Sequence, residues 1–344
     1  MRWALAWAVS VAVLAGAQPT ITLNETVTLV RDALQDKQPD NQLAKVLHKV
    51  KLSERLDERT FEELQSLGPG PKVLAELERL QESSEKLPPA AGPSLFEAPP
   101  TPPLAVQAQI MKEARAIALN YTSSLPDFVA MELVKRYADD KGFFQLKDTL
   151  TIKLSYFDQA ESYKVLSING HPSTVPYEEI GGTITQGEFG SLLKEVFDRH
   201  SDAELKWDHW TTLRGRPAYV FAFRVLVQNS RYTMVVGNRT GRDTIIAGQH
   251  GFVYVDRDTN QIMRIVAEAD SIPIHFPVRN SKTQLDYGFA DVGGRQFLLP
   301  LRAEVRMGTP SLQTRNEVEF QAYKKFTADT SITFEGAVPD KPAK

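Results

Sequence analysis

Alternation of apolar and polar residues dominates the last third of the chain. Apolar side chains recur at every second position in residues 285–289, 301–307 and 318–322, and mostly charged or amide residues stand between them. A period of two places alternate side chains on opposite faces of a β-strand. The pattern therefore predicts antiparallel strands with one face against a core and the other in water.

Similar segments predict strands over a much longer region. Their ranges are 128–137, 143–157, 163–168, 218–227, 231–236, 244–247, 252–255, 261–269, 283–292, 297–307 and 314–326. A helix is predicted at 104–120 before this series, and one more, at 188–197, interrupts it. Strands in series joined by short turns favour a meandering antiparallel sheet over βαβ units.

A sheet of about ten strands with one apolar face must curl, close or be covered. We therefore predict an α+β fold in which residues 104–330 form a strongly curved antiparallel half-barrel, with the helices packed into its concave side. Residues 331–344 are expected to form a tail.

The region before this sheet has a different pattern. Residues 18–86 show apolar positions at helical spacing and predict a small helical domain. Residues 87–103 contain seven prolines with Ala and Gly, a composition that resists both helix and sheet. We expect an extended, semi-stiff linker between the two domains.

The first seventeen residues are typical of a secretory signal peptide. Arg2 supplies a positive charge, an apolar run follows, and Ala15 and Ala17 place small residues before a predicted cleavage at Gln18. The alternative is a membrane anchor, but the apolar run is too short to span a bilayer. We expect an exported protein, located in the periplasm or outside the cell, with no integral membrane span after cleavage.

Composition narrows the chemistry further. The chain has no Cys, which excludes disulfides, Cys–zinc sites, thiol nucleophiles and Cys-linked lipids. The formal net charge of −3 lacks the excess of Lys and Arg that a nucleic-acid footprint requires. We predict no nucleic-acid partner.

Several short motifs resemble functional ones but depart from them at essential positions. Residues 182–187 have phosphate-loop spacing, yet Glu188 stands where a lysine is needed. Residues 256–260 open like a calcium loop, but Gln261 and Ala267 replace the expected Gly and Glu. Residues 67–72 resemble the loop of a DNA-binding helix-hairpin-helix module, in an acidic setting. We interpret all three as loops or turns without a ligand.

The histidines do not show metal-ligand spacing, and the sequence has no nucleophile-elbow motif. His209, in an aromatic segment, and His250, between two predicted strands, are the candidates for a hydrolase site assembled from distant residues. We predict no catalytic residue, no metal site and no cofactor.

Short motifs of spacing and turn chemistry in the predicted strands resemble those of a known group of proteins. Phe252-Val-Tyr-Val-Asp-Arg-Asp-Thr, Ile262-Met-Arg-Ile, Leu285-Asp-Tyr and Phe297-Leu-Leu-Pro-Leu resemble an order of strands and turns in LolA/LolB/RseB-like periplasmic proteins. The similarity covers roughly residues 105–330 and is nearer to uncharacterised exported bacterial members than to the carriers themselves. The helical segment before the linker has no counterpart in the carriers.

The resemblance implies a half-barrel that holds an acyl chain or a hydrophobic peptide. Aromatic and aliphatic residues of the predicted strands are the candidate cavity lining: Leu150, Ile152, Leu154, Tyr156, Trp207, Trp210, Tyr219, Phe221, Phe223, Leu285, Tyr287, Phe289, Leu301 and Val305. Whether these side chains line a cavity or fill a core stays open at this point.

We therefore expect a non-enzymatic cell-envelope binding protein whose partner is a lipid, a lipoprotein or an envelope protein. The alternative is a regulatory or structural interaction module, an RseB-like sensor or scaffold, in which the helical segment docks a partner.

Overall fold

The computed structural model describes residues 19–90, 99–139, 144–182, 189–238 and 241–326. The predicted signal peptide, the middle of the proline-rich linker, the phosphate-loop-like residues after Gly182 and the C-terminal tail lie outside the described residues.

The segment before the linker is helical, as its apolar spacing predicts. Its helices are α1 (Leu23–Gln35), α2 (Asp40–His48), α3 (Glu58–Ser66) and α4 (Pro71–Ser84), and the two-residue strands β1 (Thr20–Ile21) and β2 (Lys51–Leu52) pair in parallel. Thr22 and Glu25 form a capping box at the start of α1, and Asp57 caps α3 through the amide of Thr60. The predicted apolar positions, among them Val27, Leu47 and Leu64, form one buried core.

The loop before α4 uses a carboxylate of its own chain to bind the exposed amides of the helix. The side chain of Asp40 accepts hydrogen bonds from the backbone amides of Lys72, at 2.9 Å, and Val73, at 3.2 Å. The first amides of a helix lack intrahelical partners and attract anions. These amides are the groups that would contact a phosphate in a helix-hairpin-helix module, and here Asp40 occupies them.

The remainder of the chain is built mainly of strands. They are β3 (Phe128–Asp139), β4 (Gln145–Phe157), β5 (Ala160–Ile168), β6 (His171–Pro172), β7 (Glu204–Leu213), β8 (Arg216–Val225), β9 (Thr233–Asn238), β10 (Gly241–Ile246), β11 (Gly248–Asp256), β12 (Ile262–Asp270), β13 (Asn280–Val292), β14 (Arg295–Gly308) and β15 (Gln313–Lys325). Within the described residues two α-helices accompany them, α5 (Leu104–Ser124) and α6 (Ser191–Phe197).

Eleven of these strands form one sheet. Their order is β6-β5-β4-β3-β15-β14-β13-β12-β11-β8-β7, and β9 pairs with β10 as a separate hairpin. The pairs from β6 to β11 along this order are antiparallel, and the sheet is open, with β6 at one edge and β7 at the other. The predicted α+β class with an antiparallel sheet that is not closed into a barrel is confirmed.

The contacts of α5 require a curved sheet. Tyr121 meets Tyr287 of β13 edge to face at 5.7 Å, whereas its neighbour Thr122 accepts a hydrogen bond from Tyr156 of β4. Four strand spacings separate β4 from β13, about 19 Å across a flat sheet. Two adjacent residues of α5 contact both strands because the sheet curves around the C-terminal end of this helix.

Two predicted helix boundaries differ from the structure, and one long strand of the main sheet was not predicted. Helix α5 continues to Ser124 because Tyr121 and Thr122 are buried against the sheet. Helix α6 begins at Ser191, since Gly190, with φ of 130°, interrupts the backbone before it. The strand β7 was not among the predicted strands.

The chain divides into two compact units. The first contains the described residues up to Pro102, together with His209–Val220 and Asp256–Asp258. The second contains Pro103–Asp208, Phe221–Val255 and the described residues from Thr259. Strands β7 and β8 contribute residues to both.

Candidate functional site

The candidate site is the face of the sheet that packs against α5, which we call the inner face. On β4 it carries Leu150, Ile152, Leu154 and Tyr156, which alternate with more exposed polar residues. The hydroxyl of Tyr156 donates to the backbone carbonyl of Thr122 at 3.2 Å, which places this row on the helix side of the sheet. The four predicted β4 residues therefore lie together on the inner face.

The same face continues on β13 and β14. Tyr287 contacts Tyr121 of α5, so Leu285, two positions earlier, shares its face. Register pairs Leu285 with Ala303 and Thr283 with Val305. The predicted lining residues Leu285, Tyr287 and Val305 are thus brought to the same side of the sheet as the β4 row.

An aromatic cluster fills the inner face beside the C-terminal end of α5. The ring of Phe128 stacks on Tyr156 at 5.1 Å and contacts Phe189 at 5.2 Å. Phe320 and Tyr323 of β15 complete the cluster, at 5.7 Å and 6.4 Å from Phe189. Edge-to-face and offset contacts of this kind stabilise beyond the buried area alone.

The opposite end of the same face is covered by the β9–β10 hairpin. Met234 of β9 forms a buried cluster with Phe276 and Val278, against which Met307 of β14 packs. The hydroxyls of Tyr232 and Ser281 are hydrogen-bonded at 3.1 Å. Both ends of the inner face are therefore occupied by side chains of the protein.

Burial shows how tightly the predicted lining is packed. Ile152, Leu154 and Tyr287 expose 0% of their surface, and Leu150 and Val305 expose 3%. A side chain without accessible surface has no void of water size beside it. In this conformation these residues contact protein atoms rather than an open cavity.

Two predicted lining residues differ from this group. Phe289 follows Leu285 and Tyr287 in the same row of β13 but is 47% exposed, so the row runs from buried to solvent-exposed. Leu301 lies next to a register shift between Asp286 and Tyr287, and its Cδ1 would be 2.3 Å from a Cβ atom at Gly288. Since Gly288 faces away from Tyr287, Leu301 packs on the outer side of the sheet.

The predicted residues on β7 and β8 form two separate aromatic pairs. Trp207 meets Phe221 edge to face at 5.6 Å, and both belong to the second unit. Trp210 and Tyr219 are 4.9 Å apart, and both belong to the first unit. Phe223 is buried, with 3% exposure.

Polar inner-face residues were missed by the sequence reasoning. Glu132 of β3 is 3% exposed and pairs in register with Ile152 and Phe320, so its carboxyl group lies among apolar side chains. Asn316 of β15 is 4% exposed and pairs with Val305. The available signal was the single Glu within the otherwise apolar run of residues 128–134.

The hydroxyls that join α5 to the sheet stay protonated over a wide pH range. Burial, with a smaller contribution from the nearby Tyr287, raises the pKa of Tyr121 well above 10.0. Burial also raises the pKa of Tyr156. Both groups remain hydrogen-bond donors at neutral pH, Tyr121 to the carbonyl of Leu298 and Tyr156 to that of Thr122.

Each candidate catalytic histidine lies near a carboxylate of the chain. His250 is half-exposed and faces Glu268 across the β11–β12 pair, with 3.9 Å between Nε2 and Oε2. His209 is buried, and its Nε2 lies 3.6 Å from a carboxylate oxygen of Glu62 within the first unit. Among the described residues no group of three or more His, Asp or Glu side chains is arranged to hold a metal ion.

The calcium-like loop is a turn stabilised by its own side chains. Asp256 accepts from the amide of Asp258 at 3.1 Å and binds the guanidinium of Arg216 at 2.5 Å. None of the helices in the described part of the chain is long and apolar enough to cross a membrane.

Comparisons with known proteins give similarity to solved structures over about two thirds of this chain. No protein-family model and no curated protein matches the sequence. The solved structures to which the chain is similar include a LolA superfamily protein from Nitrosomonas europaea, with 10% identity, coverage of 64% of this chain and 93% of that chain, and a TM-score of 0.32. The strand motifs noted above resemble this superfamily.

Two further structures are similar to a comparable extent. A DUF1329 family protein from Desulfovibrio piger has 11% identity, coverage of 65% and 95%, and a TM-score of 0.29. An outer membrane lipoprotein-sorting protein domain from Vibrio parahaemolyticus has 10% identity, coverage of 64% and 92%, and a TM-score of 0.29. We draw no functional conclusion from similarities of this size.

Proposed function

We propose that this protein is an exported cell-envelope binding protein that holds a lipid acyl chain against the inner face of its half-barrel, without catalysing a reaction. One observation carries the proposal: the row Leu285, Tyr287 and Phe289 begins in the buried interior and ends at a side chain that is 47% exposed. This row gives an apolar guest a continuous apolar path from solvent onto the inner face.

The guest must displace side chains, because the inner face is packed in the form described. Transfer of each CH2 group from water contributes about 0.8 kcal/mol, so ten of them contribute about 8 kcal/mol. This free energy must exceed the free energy of the contacts that Tyr121 and the end of α5 make with the sheet, because the guest replaces those contacts. We therefore expect binding to move α5 away from the aromatic cluster.

The chemistry of the inner face suits such a guest. Most of its side chains on β4, β13 and β14 are aliphatic or aromatic, and an acyl chain needs a dry apolar surface rather than a reactive group. The export signal predicted at residues 1–17 would bring the protein to the compartment in which lipids and lipoproteins are sorted.

A matched pair of variants tests the proposal. Phe289→Glu places a charge at the exposed end of the inner-face row, whereas Phe157→Glu changes a Phe of similar exposure, 54%, that stands next to Tyr156 on the other face of β4. We expect saturable binding of a fluorescent fatty acid to the wild type, weakened by about tenfold or more in Phe289→Glu, a loss of about 1.4 kcal/mol. Phe157→Glu should bind as the wild type does.

Two results would overturn this function. The first is a wild-type protein that does not bind the fatty acid saturably, and the second is equal weakening by both substitutions. Native mass spectrometry of the gently purified protein identifies the natural guest: a lipid adduct supports the proposal, and a bound hydrophobic peptide in its place contradicts it.

A further inference from the structure

The end of the proline-rich linker is hydrogen-bonded to Trp210, which forms an aromatic pair with Tyr219. The indole Nε1–H of Trp210 donates to the backbone carbonyl of Pro100 at 3.1 Å. The ring of Trp210 lies 4.9 Å from that of Tyr219, with 44° between their planes. Trp210 is on β7 and Tyr219 on β8, and these residues and Pro100 belong to the first unit.

The bound segment has the chemistry of a polyproline ligand. Pro99-Pro-Thr-Pro-Pro103 contains four prolines in five residues, and Pro103 has φ of −55° and ψ of 148°. Proline restricts the backbone to this extended form and has no N–H, so the segment cannot form the regular hydrogen bonds of a helix or sheet. The carbonyl of Pro100 accepts from the indole of Trp210, and that of Pro103 accepts from the amides of Val106 and Gln107 in α5.

One residue of the segment is also buried. Pro102 is buried, whereas Thr101 and Pro103 on either side of it are exposed. A polyproline helix has three residues per turn and presents one residue of each turn to a receptor surface. Burial of one proline beside an indole–carbonyl hydrogen bond is how aromatic-lined grooves recognise proline-rich peptides.

We propose that Trp210 and Tyr219 form a recognition site for an extended proline-rich segment, and that the chain fills this site with its own residues Pro99–Pro102. This proposal does not depend on lipid binding. Because the segment is tethered beside its site, its effective concentration is on the order of millimolar, and a free peptide of the same sequence binds the intact chain at least about tenfold more weakly.

The indole N–H resonances of the full chain, labelled with nitrogen-15 at tryptophan, report on the site directly. The resonance of Trp210 is the one that disappears in Trp210→Phe. In Pro100→Ala/Pro102→Ala we expect this resonance to move upfield and its proton to exchange faster with water. Pro88→Ala/Pro89→Ala, which removes two prolines at the other end of the linker, should leave it unchanged.

Peptide titration then tests recognition. A peptide of residues 98–104 should return the Trp210 resonance of Pro100→Ala/Pro102→Ala to its wild-type position saturably, and a peptide with alanine in place of every proline should not. The proposal is wrong if the substitutions leave the resonance unchanged or if both peptides act alike. Equal affinity of the peptide for the wild-type and substituted chains would show that the site is open to a partner's segment and not filled by the chain's own.

Discussion

Gly190 faces Thr122 so closely that a Cβ atom at position 190 would lie 2.4 Å from the Cγ2 atom of Thr122. The backbone of Gly190 also has φ of 130°, which side-chain-bearing residues rarely adopt. The absence of a side chain at Gly190 thus allows the turn before α6 to pack directly against the end of α5, over the inner face of the sheet.

We expect Gly190→Ala to lower the free energy of unfolding by about 2–5 kcal/mol. The strain of a positive φ at alanine and the steric overlap of its Cβ with Thr122 both destabilise the folded state. Gly294→Ala is the control, since Gly294 has φ of 84° but no atom within 4 Å of its Cβ position. It should cost about 1–2 kcal/mol, the penalty of the left-handed conformation alone. Urea unfolding followed by circular dichroism measures both, and equal costs would contradict the packing role of Gly190.

Asp40 and Gly70 should be energetically coupled at the start of α4. Asp40→Ala removes the cap of Lys72 and Val73 and should cost about 0.5–2 kcal/mol. A Cβ atom at Gly70 would lie 2.4 Å from Cγ of Asp40, so Gly70→Ala should cost more in the wild type than in Asp40→Ala. A double-mutant cycle in urea measures this difference. Additive costs would show that Asp40 and Gly70 do not contact each other. Asp32→Ala, which removes an exposed carboxylate of α1, is the control.

Stability should fall at alkaline pH through Tyr121. Its pKa is raised well above 10.0 in the folded protein by burial, whereas in the unfolded chain it ionises near 10.0. The stabilisation is therefore fully present below pH 10.0 and is lost as the pH rises above that value, because the unfolded chain then releases the proton first.

Tyr121→Phe should make the loss of stability above pH 10.0 less steep, as one such tyrosine is removed. At pH 8 the variant should be less stable by about 1–3 kcal/mol, since the buried carbonyl of Leu298 loses its donor. Urea unfolding at a series of pH values gives both quantities. An unchanged pH dependence would mean that Tyr121 does not keep its proton through burial.

The ion pair of Arg264 and Asp286 offers a prediction about the middle of the sheet. The two residues are 6% exposed each, and Nε of Arg264 lies 2.7 Å from Oδ1 of Asp286. Asp286→Asn should cost about 3–5 kcal/mol because it leaves the guanidinium without its carboxylate. Arg264→Met/Asp286→Leu should cost less than the single substitution, as judged by thermal unfolding; a larger cost would mean that the pair itself contributes net stability.

Much of the fold was predictable because its signals are local. Helices α1 to α4 follow the 3.6-residue spacing of apolar positions and the caps Thr22 and Asp57. Most strands of the main sheet follow the period of two. Strand β7 was not predicted from the sequence. Leu205 and Trp207 alternate with polar residues at its start, but the next two positions on the same face are the buried polar residues His209 and Thr211, which interrupt the apolar pattern.

The candidate site was less predictable. Leu301, Ala303 and Val305 stand at every second position of β14, so their spacing predicts one common face. One register shift between β13 and β14 places Leu301 on the opposite face. A bulge depends on how β13 and β14 pair, and the spacing within β14 does not reveal it. Glu132 was not predicted as an inner-face residue because a carboxylate in an apolar strand is usually assigned to the solvent side.

The amino-acid sequence by itself determined most of the strand and helix segments and the antiparallel class, since these depend on neighbouring residues and on the intrinsic geometry of the backbone. The tertiary structure alone decided that Tyr121 and Thr122 meet β13 and β4, that aromatic side chains fill the inner face, and that Trp210 binds Pro100. Those contacts join residues far apart in sequence, and their formation depends on the packing of whole elements.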